Sequence, residues 1–229
     1  MLNVKGFLLT VGIGVFFSVL LSYIPSWYGR TIVMPERPTQ NEVLPLLSPE
    51  RAQTIYGMLF GYPHMYEFST IRTIRLEVSL LVPEGALSRN NMTAIVLRVN
   101  DDGSVSEITR LKAKDALWKS VYEPFGGDWY RQGGSYGADL SPGLYRIEIS
   151  TPDDIGKYVL KVGTKKEVTV GYFGLLRQCA DIKMFFGVSS YRVLVAPIVY
   201  GPIVLFVVVC GGALSVWRRK STREKSVTI

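Results

Sequence analysis

Ser141-Pro142-Gly143-Leu144-Tyr145-Arg146-Ile147-Glu148-Ile149 opens on a turn triplet and then alternates, with Tyr145, Ile147 and Ile149 apolar and Arg146 and Glu148 charged. Successive side chains of a strand point to opposite faces, so this pattern describes a strand with one dry face and one wet face. The same alternation occurs upstream in Ile74, Leu76, Val78 and Leu80 against Arg75, Glu77 and Ser79, and in Ile95, Leu97 and Val99 against Arg98 and Asn100. It returns downstream in Tyr158, Leu160 and Val162 against Lys161. Four half-buried strands make an antiparallel sheet the expected element.

Weaker strand patterns lie at Thr54 to Phe60, His64 to Phe68, Val105 to Leu111, Trp118 to Tyr122 and Glu167 to Val170. Turn signals separate them, among them Pro83-Glu84-Gly85, Asp101-Asp102-Gly103, Gly126-Gly127-Asp128 and Pro152-Asp153-Asp154. Many short strands with no helical pattern between them predict a mainly β fold, an antiparallel β-sandwich or jelly-roll-like domain.

The chain is 229 residues long and 48% apolar, and its apolar residues are unevenly spread. Gly6 to Ile24 and Val193 to Trp217 are uncharged, and a helix of about 20 apolar residues crosses a bilayer. The expected organisation is an N-terminal transmembrane anchor or signal peptide over 1–27, a Pro-rich spacer over 28–51 and a β-sandwich ectodomain over 52–170. A juxtamembrane amphipathic helix over 171–190, a transmembrane helix over 191–217 and a basic cytoplasmic tail over 218–229 complete it. In 171–187, Tyr172, Leu175, Leu176, Cys179, Ile182 and Phe186 recur at helical spacing, with Arg177, Gln178, Asp181 and Lys183 on the other side. That helix lies in the outer headgroup layer, packs beneath the sandwich or offers a partner surface. Thr10, Gly14, Ser18 and Ser22 form a small-residue stripe on the first span, and Gly211, Gly212 and Ser215 offer a small face on the second.

The net charge of +7 does not indicate a nucleic-acid binder. Between Arg30 and Ser190, 19 Lys and Arg oppose 18 Asp and Glu, so the middle is nearly neutral. The excess sits at the ends of the apolar runs, chiefly Arg218, Arg219 and Lys220, as the positive-inside bias produces. The domain is therefore expected outside the cytoplasmic membrane, with both termini cytoplasmic if the first span is uncleaved. Cys179 and Cys210 are too differently placed to be bridged.

One segment concentrates chemistry. Tyr122-Glu123-Pro124-Phe125-Gly126-Gly127-Asp128-Trp129-Tyr130-Arg131 combines aromatics, carboxylates and a glycine pair. Glu123, Phe125, Asp128, Trp129, Tyr130 and Arg131 form a candidate ligand site, because aromatic faces stack on sugar C–H patches while carboxylates accept hydroxyl protons. The alternative is an internally packed connection covering one end of the sandwich. Glu123 and Asp128 are also the residues a glycosidase reading would use. His64 is the only histidine, which excludes multi-histidine metal sites, and it reads as a histidine paired at a strand edge. Asp101, Asp102, Asp153 and Asp154 lack a calcium-loop layout. No metal site, catalytic residue or cofactor is expected.

The stretch Leu140 to Ile149, followed by Gly156-Lys157-Tyr158-Val159-Leu160-Lys161-Val162-Gly163, resembles the final strand pair of prokaryotic extracellular β-sandwich modules of the pre-peptidase C-terminal type. The whole layout resembles prokaryotic membrane-anchored extracytoplasmic proteins. The resemblance implies a non-catalytic jelly-roll-like domain and carries no active site. The expected function is a membrane-anchored protein whose partners are the lipid bilayer and an envelope polysaccharide or a protein. A second reading is an accessory subunit of a membrane complex, and a third an envelope glycoside hydrolase.

Overall fold

The computed structural model describes residues 12–19, 21, 24, 31–33, 38–84, 91–111, 118–167 and 170–226, without the side chains of 31–33, 190 and 213–226. Among the described residues eleven strands form two sheets, a six-stranded one ordered β1-β3-β11-β5-β9-β8 and a five-stranded one ordered β2-β4-β10-β6-β7. The strands are β1 Thr31–Val33, β2 Val43–Pro45, β3 Gln53–Phe60, β4 His64–Thr70, β5 Ile74–Pro83 and β6 Thr93–Val99. They continue with β7 Val105–Leu111, β8 Lys119–Glu123, β9 Asp128–Leu140, β10 Gly143–Ser150 and β11 Ile155–Val162. After the sandwich come helix α1 (Tyr172–Phe185), a 3₁₀ turn (Ser190–Val195) and helix α2 (Pro197–Ser226). The fold is a β-sandwich of two antiparallel-rich sheets.

Register explains the core. In the larger sheet Ile55, Leu160 and Leu80 lie side by side, and in the smaller one Tyr66, Ile147 and Val96 do. All six are buried in one cluster, so the inner faces meet as a dry layer. The strands over Ile74 to Leu80, Tyr145 to Ile149 and Tyr158 to Val162 turn their alternating apolar residues into this layer.

Strand β6 differs from the expectation by one residue. Ala94 and Val96 face the core at 0% exposure, and Ile95, Leu97 and Val99 take the other face. The inner position continues to Arg98, which pairs with Tyr145 in register and sets its guanidinium over that ring at 6.0 Å. Arg98 also donates to Ser141 Oγ and the Pro142 carbonyl. A charged residue thus occupies an inward position at the open end of the sandwich, where its head stays hydrated.

The Pro-rich tract expected to be only a spacer contributes β1 and β2, each paired in parallel at a sheet edge. Edge strands tolerate proline because one row of their amides has no partner to lose. Residues 167 and 170 of the expected Glu167 to Val170 strand are not in a strand.

The outer face of the larger sheet is not wet where the sequence pattern placed solvent. Tyr56, Val159 and Leu81 lie side by side there, Tyr130, opposite Pro83 on β9, joins the same cluster, and α1 packs across them through Leu175, Cys179 and Ile182. This second core also takes Phe125, Ile24, and Ala196 and Ile198 at the start of α2. Of the roles open to α1, packing beneath the sandwich is the one adopted.

Among the described residues no helix is long and apolar enough to cross a membrane, so the flanking transmembrane helices expected from the sequence are not supported by this structure. The described side chains of α2 end at Gly212, inside the expected span. Thr10 and Ser22, and the side chain of Ser215, lie outside the described residues. The expected meeting of the two small-residue faces therefore falls partly outside the described residues. Phe17 meets Phe206 with ring centroids 4.9 Å apart, and among the described residues nothing lies within 4 Å of where a Cβ would stand on Gly14 or Gly211.

Candidate functional site

The aromatic and acidic segment is the tip of the β8–β9 hairpin. Glu123 and Asp128 are paired residues across the two strands. Between them the chain turns through Gly127, whose φ of 69° is the left-handed conformation that glycine adopts without penalty. The Gly127 amide donates to the Glu123 carbonyl at 2.9 Å and the Gly126 amide donates to Glu123 Oε2 at 3.0 Å. The Glu123 carboxylate therefore helps shape its own turn.

The remaining candidates divide between two faces. Phe125 and Tyr130 are 4% and 2% exposed in the second core. Undocking the tip would return the Phe125 ring to water at a cost of about 2 kcal/mol. The Phe125 carbonyl accepts the Cys179 thiol at 3.7 Å. Burial pushes that thiol up to about 11, so it stays protonated near neutrality. Burial also raises the Tyr130 phenol, with Asp128 and Glu123 nearby adding to the shift. Asp128 accepts from Lys183 Nζ at 2.5 Å, and its buried Oδ2 has no hydrogen bond among the described residues.

On the opposite side Trp129 is 55% exposed, and its ring lies 5.2 Å from that of the exposed Tyr122. Arg131 approaches Glu84 at 4.0 Å. The packed connection thus describes Phe125, Tyr130, Glu123 and Asp128, while Tyr122 and Trp129 hold the open surface. A Cβ on Gly127 would stand 3.0 Å from Pro197 Cδ and 3.6 Å from Ala196 Cα, which sets the tip directly against the start of α2.

The other sequence candidates have local partners. His64 is not at a sheet edge, since β4 lies between β2 and β10, and at 2% exposure it reaches across the sandwich to β11. Its Nδ1 shares a hydrogen bond of 2.8 Å with Tyr158 Oη, which shares another of 2.6 Å with Tyr66 Oη. Asp102 Oδ1 accepts from the Ser104 amide and hydroxyl, and Asp153 and Asp154 accept from Thr151. Among the described residues no three His, Cys, Asp or Glu side chains are grouped to hold a metal ion.

No family model matches the sequence, and no curated protein is similar to it. Partial matches exist among solved structures, each with a TM-score below 0.5. The pre-peptidase C-terminal domain of a collagenase from Bacillus anthracis matches with TM-score 0.32 and 16% identity, covering 56% of this chain and 98% of that one. PliG, a periplasmic inhibitor of g-type lysozyme from Aeromonas hydrophila, matches with TM-score 0.32 and 13% identity over 58% and 97%. The Yersinia pseudotuberculosis-derived mitogen matches with TM-score 0.33 and 17% identity over 52% and 92%.

Lys183 is the residue sequence reasoning misplaced. Its position put it on the polar side of α1, yet it is 4% exposed and paired with Asp128. Only the presence of an unmatched carboxylate in the hairpin tip could have suggested it.

Proposed function

We propose that the chain is a non-catalytic, membrane-anchored β-sandwich, displayed outside the cytoplasmic membrane, whose surface binds an envelope polymer or a protein partner. The observation that carries anchoring is the apolar surface around the Phe17–Phe206 contact. Val15, Phe16 and Val19 on one side and Ile203, Val204, Leu205, Val207 and Val208 on the other are exposed large hydrophobic residues. Water does not tolerate a contiguous patch of that kind, whereas hydrocarbon does. Ile24, seven residues after Phe17, and Ile198, eight before Phe206, are both buried in the second core, so both segments join the sandwich at the same place. The Arg218-Arg219-Lys220 cluster supports an orientation with the tail inside. The engagement of Glu123 by Gly126 and of Asp128 by Lys183 supports a non-catalytic reading.

The accessory-subunit reading draws on the open space that the described residues leave beside Gly14 and Gly211, where a further helix has room to approach. Protease added to sealed right-side-out cells tests anchoring and orientation together. The sandwich is expected to be cleaved, the tail spared, and the residual fragment retained through an alkaline carbonate wash. Release by carbonate, or cleavage of the tail alone, overturns the proposal.

A further inference from the structure

We infer that the exposed aromatic edge at the foot of the sandwich, formed by Tyr122, Trp129, Tyr191, Leu194, Val195 and Tyr200, beds into the headgroup layer of a phospholipid surface. This rests on the anchoring proposed above and adds a statement about depth. The sandwich then lies directly on the bilayer, held at its edge, and is not raised above it on a stalk.

Two observations bring these residues to one level. Tyr122 and Trp129 pair beside the tip of the β8–β9 hairpin, and the hairpin's Gly127 lies against Ala196 and Pro197, where the 3₁₀ turn passes into α2. Tyr200 is one turn further along that helix and close enough to influence the Tyr122 phenol. The 3₁₀ turn runs into the same point, and it exposes Tyr191 at 81%, Leu194 at 66% and Val195 at 69%. At about 1.5 Å of rise per residue, Ile203, where the exposed aliphatic run of α2 begins, lies only about 9 Å beyond Pro197. A helix that meets hydrocarbon at Ile203 keeps Pro197 to Tyr200 within the headgroup layer, and the hairpin edge touching it lies at the same depth.

The chemistry of the edge matches that layer. Tyrosine and tryptophan favour the membrane interface, where an apolar ring and a polar atom are both satisfied. The turn contributes one charge, the exposed Arg192, whose guanidinium suits lipid phosphate, and no acid. A surface meant for water would not place Leu194, Val195 and Tyr191 in one short turn at these exposures.

The test uses the full chain in phosphatidylcholine nanodiscs with acyl chains brominated either near the headgroup or near the midplane. Emission of the Trp129→Phe variant is subtracted from that of the native chain, which isolates Trp129 from the other three of its 4 tryptophans. Because Trp129 is half-exposed, the replacement leaves the core intact. Shallow bromine is expected to remove most of the difference signal, with a smaller loss from deep bromine and little from aqueous acrylamide. Strong quenching by acrylamide and none by either lipid would overturn the inference, placing the edge in water. Quenching by neither would overturn it in favour of cover by protein, whether a second copy or a partner. Carbonate resistance of the same nanodisc sample is scored separately, so a chain that stays in lipid while its Trp129 ignores bromine defeats the depth assignment and leaves anchoring standing.

Discussion

Lys183 on α1 and Asp128 at the first residue of β9 meet at 2.5 Å, with the lysine side chain 5% exposed and the aspartate side chain 28% exposed. The pair ties the helix to the hairpin tip beside Phe125 and Cys179. Removing one partner of a buried pair leaves the other charge uncompensated, typically at 3–5 kcal/mol, while replacing both is close to neutral. The two single variants are unequal here. Asp128→Ala strands the more deeply buried ammonium and is expected to cost about 3 kcal/mol, and Lys183→Met, which strands the wetter carboxylate, about 1–2 kcal/mol. The double variant should recover most of the loss. Urea midpoints of the detergent-solubilised chain give the cycle, and strictly additive single effects would show that the pair is not coupled.

His64 predicts an acid-sensitive stability. It is buried, its Nε2 has no hydrogen-bond partner among the described residues, and burial lowers its pKa below the ordinary 6.5. The unfolded chain then binds the proton more readily than the folded one, so stability rises with pH across that interval. The contribution is complete above about pH 6.5 and is lost as the pH falls toward the depressed folded value. His64→Asn keeps a polar atom near Tyr158 and removes the titration. Unfolding midpoints at about pH 8 and about pH 5 should differ by less in this variant than in the native chain; an unchanged difference would assign the acid sensitivity to carboxylates.

Gly57 makes room for Tyr158. The two are paired residues of β3 and β11, and a Cβ on Gly57 would overlap the hydroxyl end of the Tyr158 ring. That ring is fully buried and shares hydrogen bonds with His64 and Tyr66, so it has no free direction to move. Gly57→Ala is expected to cost about 2 kcal/mol by overpacking. At Gly61, where φ is 88° but open space surrounds the Cβ position, alanine should cost about 1 kcal/mol from backbone strain alone. Equal losses at the two sites would mean that the ring yields.

These residues also show what a single sequence discloses. Alternation in β5, β10 and β11 was legible because those strands carry bulky residues inward and charges outward. Strand β9 was not, although at 13 residues it is the longest. Its Gly133, Gly134 and Gly137 erase the periodicity, and each is small for a tertiary reason. Trp118, Leu111 and Arg75 respectively approach within 3.0–3.2 Å of where a Cβ would be. The inward face of β6 was inverted for a similar reason, since Ala94 is a weak hydrophobic signal beside Ile95. At the site, the hairpin tip was recognised as chemically dense, but its burial depends on α1, more than forty residues downstream. No local pattern reports that a lysine and an aspartate so far apart will pair.

The docked tip can be followed through Cys179. Its thiol is 0% exposed, donates to the Phe125 carbonyl and is held protonated by a pKa near 11, so it lacks both the access and the thiolate that alkylation needs. In a Cys210→Ser background, a maleimide at neutral pH should leave the folded chain unmodified and label Cys179 fully in denaturant. Labelling then becomes a clock for local opening of α1 away from the hairpin. Asp128→Ala, which removes the tie between the same two elements, should accelerate it well before the sandwich unfolds. If Asp128→Ala labels no faster than its parent while its urea midpoint falls, α1 and the sandwich open as one unit, and the second core is an integral part of the domain rather than a separable cover.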